Sequence, residues 1–250
     1  METSERFSNR VANYVKYRPG YPPEMMVFFR ERLGLRAGSV IADIGSGTGL
    51  SARPFLEMGC RVFGVEPNAA MRAAAERLLS AFPNFISIEG SSTATTLADH
   101  SCDLIVAAQA FHWFEPEATR SEFKRILKQG GHVALIWNER QLDSTKFLRE
   151  YEQLLLKYGR DYEQVRHEQI DEVVLSRFFE REFEGTSFSN SQVFDLEGLR
   201  GRLLSSSYMP DEADAAYGPM IKELETLFAI HAENGRIEVL YDTNIFVCAL

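Results

Sequence analysis

Residues 40–50 read V-I-A-D-I-G-S-G-T-G-L, and the order of residue types in this run decides the fold. Val40, Ile41 and Ala42 suit a buried strand, and Asp43 stands near its end. Gly45, Gly47 and Gly49 then occupy alternate positions, and a helix-compatible stretch follows. Glycine reaches positive φ without strain and carries no Cβ, so such a turn brings backbone N–H groups close to a ligand. Strand, glycine turn and helix together form the first βα corner of a Rossmann-like sheet, shaped for a nucleoside-containing cofactor.

The spacing narrows the cofactor. The dinucleotide fingerprint G-x-G-x-x-G would place its third glycine or alanine where this chain has Leu50. The run D-x-G-x-G-x-G instead resembles motif I of class I S-adenosylmethionine-dependent methyltransferases. A second acid, Glu66, ends the apolar run V-F-G-V-E at βαβ spacing from Asp43. A carboxylate there is a bidentate acceptor for both ribose hydroxyls. Pro67 and Asn68 form a turn and cap, and Met71 follows one helical turn later, where it covers an adenine face. A glycine turn without a ligand and a nicotinamide site are the competing readings. The pairing of Asp43, three glycines and Glu66 weighs against both.

Hydrophobic periodicity extends the pattern along the chain. Strands are expected at residues 40–44, 61–65, 85–89, 103–108 and 132–137. Helices are expected at 24–33, 49–58 and 69–82, with another ending at 122–127, and K-Q-G-G at 128–131 reads as a turn. This alternation implies a parallel sheet. Beyond it come a helix at 142–167, a strand-like stretch with a turn-prone centre at 178–194, helices at 196–205 and 211–233, and a closing strand at 237–249. Residues 1–22 are too aromatic for a disordered tail and read as a cap over the cofactor mouth. The expected organisation is one domain over residues 1–250: cap and first helix at 1–38, cofactor-binding core at 39–138, and lid, acceptor region and closing strands at 139–250.

Composition excludes several classes. A chain of 250 residues with 45% hydrophobic and 25% charged residues fits one α/β domain with a lid. The net charge of −9 provides no basic field for a nucleic-acid backbone. No apolar run reaches the roughly 18 residues a membrane span requires, and the N-terminus lacks a signal-peptide core. Three scattered cysteines and five histidines make neither a metal spacing nor a disulfide framework, so no metal is expected. Reduced thiols point to a cytoplasmic protein.

The resemblance also spans more than the glycine run. Y-V-K-Y-R-P-G-Y-P (14–22), I-A-D-I-G-S-G-T-G (41–49), A-A-Q-A-F-H-W-F (107–114), L-K-Q-G-G-H-V-A-L-I-W-N (127–138) and S-S-S-Y-M-P (205–210) carry it. The chain resembles class I methyltransferases of the methyltransferase type 11 kind, and in particular the branch containing trans-aconitate methyltransferase-like proteins. That resemblance implies an α/β fold with a seven-stranded, mostly parallel sheet and helices on both faces. Its last strand runs antiparallel beside strand 5, with an N-terminal cap and helical lid insertions. The implied cofactor is S-adenosyl-L-methionine, with its adenine loop after strand 3. Here Ser91 and Ser92 follow Gly90 where family members often carry an acid, so a serine hydroxyl or a backbone group takes that contact.

Each candidate has a structural alternative. Gly45, Ser46, Gly47 and Gly49 line the methionine and ribose side. Asp43 orients the loop or reaches the amino group through water, or else only caps the turn. Gln109 contacts the methionine end or caps a helix. Arg18 pairs with the cofactor carboxylate or is a surface arginine in a proline turn. Phe111, His112, Trp113 and Phe114 follow strand 4, at the sheet edge where open α/β folds bind ligands. Their rings shield a sulfonium by cation–π attraction, and His112 either takes the acceptor's proton or is a structural hydrogen-bonder. Tyr14, Phe111, Trp137 and Arg140 are the expected acceptor-pocket residues. The leading expectation is methyl transfer to a small-molecule carboxylate, hydroxyl or amine. Position 109 begins Q-A-F-H, unlike the N-P-P-Y run of amino-methylating nucleic-acid enzymes. The alternatives are a non-catalytic cofactor-binding regulator or partner and, disfavoured by Leu50, a nicotinamide oxidoreductase.

Overall fold

A computed structural model describes residues 16–160, 162, 172–206 and 208–250. Its strands are β1 (Val40–Ile44), β2 (Arg61–Val65), β3 (Phe85–Ile88), β4 (Cys102–Ala108), β5 (Leu127–Arg140), β6 (Glu184–Phe194) and β7 (Ile237–Ala249). The helices are α1 (Pro23–Leu33), α2 (Ala52–Glu57), α3 (Ala69–Leu78), α4 (Pro116–Ile126), α5 (Lys146–Tyr158), α6 (Glu172–Phe179), α7 (Leu196–Leu204) and α8 (Tyr217–His231). A single 3₁₀ turn, Phe111–Trp113, follows β4. The sheet has seven strands in the order β3-β2-β1-β4-β5-β7-β6, with the last strand antiparallel. The reversal of strand order beside β1 is the point at which such sheets bind ligands, at the carboxyl ends of the strands.

The described residues divide into two compact units. The larger comprises residues 20–138, 172–188 and 243–250, and the smaller comprises 16–19, 139–160, 162, 189–206 and 208–242. In the larger unit, alternate strand residues serve opposite faces of the sheet, as the period of two requires. Ile41, Leu104, Val106, Ala134 and Ile136 pack with Met25 and Phe29 of α1 and Phe55 of α2. Ala42, Ile44, Ile105, Ala107, Val133 and Leu135 pack with Phe123 of α4 and with Leu175, Phe178 and Phe179 of α6. A sheet covered by helices on both faces needs mostly apolar strands, and β1 and β4 carry one acid each, Asp43 and Asp103, among otherwise apolar residues. In the smaller unit α5, α7 and α8 enclose Leu148, Leu154, Leu199, Leu203, Met220 and Leu224.

Local chemistry sets many boundaries. Asn68 accepts from Ala70 N and Met71 N at the start of α3, and Asp195 accepts from Gly198 N at the start of α7. Gly34 closes α1 in the left-handed conformation.

Four segments differ from the sequence expectation. Residues 172–179 are helix α6, whereas 178 had been expected to open a strand. Leu175, Phe178 and Phe179 share one face at helical spacing, and burying them outweighs their β propensity. Residues 128–131 lie within β5. Leu127 pairs with Cys102 and His132 with Leu104, so the K-Q-G-G run is a bulge rather than a turn. Helix α8 begins at Tyr217 rather than 211. Asp211 accepts from Ala213 N and Asp214 from Ala216 N, giving local turns that compete with helix. Helix α3 stops at Leu78, short of 82, and Phe82 N closes a turn onto Leu79 O.

Candidate functional site

The glycine corner sits at the carboxyl end of β1 and is laced to β2. Gly45 N and Ser46 N both donate to Val65 O, at 2.8 and 3.2 Å. Gly45, Gly47 and Gly49 all have positive φ. A Cβ at Gly45 would come within 2.7 Å of Ala110 Cβ, so this position also needs the close approach of the chain after β4. A Cβ at Gly47 would meet nothing within 4 Å, which leaves one face of the turn open to a ligand.

Two acids flank the turn. Asp43 is fully buried; its Oδ2 accepts from Ser51 Oγ at 2.6 Å, and its Oδ1 has no hydrogen-bond partner among the described residues. Burial raises the Asp43 pKa to about 7, Ser51 opposes that rise, and the nearby Glu66 charge adds to it. Glu66 accepts from Gly47 N through Oε2 (3.0 Å) and from Asn68 N through Oε1 (2.9 Å). Burial raises its pKa too, against the two backbone donors and Arg72. Each Glu66 oxygen retains a second lone pair. An orphaned buried oxygen costs free energy that a donor on a ligand would recover.

The neighbouring candidates lie in the same unit. Met71 is buried on α3, and Ser92 Oγ accepts from Thr119 Oγ1 at 2.9 Å. Ser91 bonds with Thr93 through their hydroxyls. Pro67 O and Glu66 O both accept from Arg72 Nη1, while Arg72 Nη2 reaches Glu89. Arg72 thereby ties the ends of β2 and β3 together, a role with no motif to announce it.

After β4 the backbone turns sharply. Gln109 has φ +57, a conformation non-glycine residues rarely adopt and one that tends to persist at functional positions. Its Nε2 donates to Asn138 O at 3.3 Å, and Asn138 in turn accepts from Thr243 Oγ1 and donates to Gly20 O. Phe111 and Trp137 are nearly fully buried and pack edge to face. The Phe111 ring also lies 4.5 Å from that of Phe178, so its surroundings are core. The Trp137 Nε1 has no hydrogen-bond partner among the described residues. Trp113 is 42% exposed and sits 4.8 Å from the His112 ring.

Arg18 and Arg140 belong to the smaller unit. Arg18 Nη2 donates to Ser205 O, and Arg140 pairs with Glu152 and donates to Tyr162 Oη. Tyr14 lies outside the described residues. Among the described residues no group of three His, Cys, Asp or Glu side chains could hold a metal, and no helix is long and apolar enough to cross a membrane.

Comparison with known proteins bears on the family and the fold. Residues 42–135 match the family model of a methyltransferase domain. An uncharacterized methyltransferase of Mycobacterium tuberculosis is 30% identical over 210 residues, covering 82% of this chain and 80% of that protein. An uncharacterized methyltransferase of Schizosaccharomyces pombe is 34% identical over 152 residues, 60% of this chain and 59% of that protein. Among solved structures, a protein of Anaeromyxobacter dehalogenans assigned to the type II methyltransferases superposes with a TM-score of 0.70 at 18% identity, covering 92% of this chain and 97% of that one. Phosphoethanolamine N-methyltransferase 2 of Haemonchus contortus, solved in complex with S-adenosyl-L-methionine, superposes with a TM-score of 0.54 at 18% identity, covering 96% of this chain and 56% of that one. Shared sequence over four fifths of its length, together with the fold, places the chain in the methyltransferase family.

Proposed function

We propose that this methyltransferase uses S-adenosyl-L-methionine to methylate a small-molecule acceptor. The observation that carries the reading is the buried Asp43 Oδ1, left without a donor beside a glycine turn whose Gly47 face is open. When bound, the cofactor supplies a sulfonium methyl that is already activated for transfer. Glu66 accepts from the ribose hydroxyls with the lone pairs that Gly47 N and Asn68 N leave over. Asp43 answers the amino group, directly or through water. Met71, Pro67, Ser91 and Ser92 flank the adenine, and Gln109 faces the methionine end. Protein groups then need only align the acceptor and exclude water. His112 takes a proton from a neutral acceptor, and an ionised acceptor needs no base. Trp113 and the neighbouring rings shield the positive sulfur.

The net charge of −9 supports a small molecule over a nucleic acid, and three buried free cysteines suit a reducing, cytoplasmic setting. Carboxylate, hydroxyl and amine acceptors all fit this chemistry. Calorimetric titration with S-adenosylhomocysteine, S-adenosylmethionine and NAD, repeated with Glu66→Ala, tests the reading. Micromolar binding of the first two, lost in the variant, is expected. Binding of NAD alone overturns it. Turnover of labelled methyl to any acceptor separates the enzyme from a protein that only binds the cofactor.

A further inference from the structure

The smaller unit carries a cluster of guanidinium and phenol groups with an unbalanced charge. Arg202, on α7, is partly buried. Its Nε donates to Tyr241 Oη at 3.1 Å, and its Nη1 donates to Ser205 Oγ and Ser206 Oγ at 3.4 and 3.3 Å. Its guanidinium carbon lies 5.9 Å from the centre of the Tyr241 ring. Every one of these partners is neutral. Among the described residues no carboxylate pairs with Arg202, and Nη2 donates to none of them.

Arg140 provides the contrast. It pairs with Glu152, receives Tyr162 as a further partner, and stacks 5.3 Å from the centre of the Tyr151 ring. Tyr151 is buried and feels both guanidinium charges. Arg140 therefore has a carboxylate partner, and Arg202, among the described residues, has none. The polarity around Arg202 is also set in advance. Tyr241 Oη donates its proton to Gln192 Oε1 at 3.1 Å, which turns its lone pairs toward Arg202 Nε. Gln192 is itself held by Tyr17 O through Nε2.

A partly buried cation met only by neutral dipoles is under-compensated, and an anion relieves that cost. The planar fork of a guanidinium matches the two oxygens of a carboxylate or a phosphate. We infer that Arg202 is the centre of an anion site in the smaller unit, taking a carboxylate or phosphate group of a small molecule other than the cofactor. Tyr241, Ser205 and Ser206 fix the guanidinium plane, and Nη2 provides the donors for the ligand. A methyl acceptor and an effector would present the same group here.

The test is calorimetry on the full chain at constant ionic strength, with succinate and with inorganic phosphate, each against chloride. Saturable binding of at least one of the two is expected, weakened tenfold or more in Arg202→Gln, with affinity for S-adenosylhomocysteine unchanged. Failure of both anions to saturate the wild-type protein overturns the site, as does equal affinity in a folded Arg202→Gln. Should that variant not fold, Tyr241→Phe removes the acceptor of the Nε bond and the donor to Gln192 while leaving the guanidinium in place, and is expected to weaken the anion severalfold; no change refutes the assignment. A loss of S-adenosylhomocysteine affinity in Arg202→Gln, with 5′-methylthioadenosine unaffected, assigns the arginine to the cofactor's own carboxylate and overturns the proposal. Labelled S-adenosylmethionine then identifies the source. A bound anion that gains methyl is an acceptor, and one that binds unchanged is an effector; both uphold the site. Because anion binding is read directly, it stands or falls separately from the methyltransfer reading.

Discussion

The glycine corner and the Arg202 cluster each hold a charged group without an opposite partner, and they are assembled in opposite ways. Asp43, the three glycines and Glu66 come from one βαβ stretch, and the donors that hold Glu66 are backbone N–H groups of near neighbours. The Arg202 cluster takes side chains from β6, α7, the turn after it, and β7. Backbone donors depend on local conformation and therefore on local sequence. Side-chain clusters depend on packing between distant segments. The first kind of site is thus sensitive to backbone substitutions, and the second to any loss of charge balance.

The largest effect is expected from Glu152→Ala, which removes the carboxylate paired with Arg140. Breaking such a pair costs about 4 kcal/mol. Thermal unfolding should fall by roughly 10 °C for a chain of this size. Adding inorganic phosphate should restore part of the loss if the cluster is short of negative charge; the same loss with and without phosphate would argue against that imbalance.

Gly45→Val comes next. It places a β-branched residue at φ +70 and drives a Cβ toward Ala110. The expected cost is about 3 kcal/mol together with loss of cofactor binding. An unshifted melting curve would show that the loop adapts.

Glu66→Ala removes a charged acceptor and should weaken S-adenosylhomocysteine by about a hundredfold, or roughly 2.7 kcal/mol. Titration calorimetry checks this. Unchanged affinity would move the ribose contact elsewhere.

Asp43→Asn has the smallest expected effect at low pH, and its effect depends on pH. The folded pKa of Asp43, about 7, lies above its unfolded value. Its contribution to stability is therefore fully present below about pH 4 and is lost as pH rises through about 7. Asparagine cannot ionise, so the variant should gain stability relative to wild type at pH 8 and little at pH 4. Denaturant unfolding at the two values gives the comparison, and equal differences at both would show that Asp43 ionises without cost.

The alternation of strands and helices to residue 137 was legible because each parallel strand has a predominantly apolar run and the turns carry glycine, proline or cap residues. The position of β7 between β5 and β6 agrees with the family resemblance. Legibility failed where a segment satisfies two patterns. E-V-V-L-S-R-F-F contains β-branched and aromatic residues that suit a strand, and also an apolar face at helical spacing. The K-Q-G-G run reads as a turn because a bulge and a turn use the same residues. For the candidate site, the acids and glycines were visible as spacing. Arg72, Thr119 and Ser51 were not, since their roles are hydrogen bonds to groups already chosen.

The sequence alone therefore determined the first βα corner, its two acids and the order of the central elements, because positive φ, strand burial and helix caps are demands each short stretch meets by itself. Tertiary structure alone decided that α6 is a helix, that Phe111 belongs to a core, and that, among the described residues, Asp43 keeps an oxygen without a donor and Arg202 has only neutral partners. Those facts depend on which distant side chains share a space and what water is excluded from it, and no local pattern encodes either.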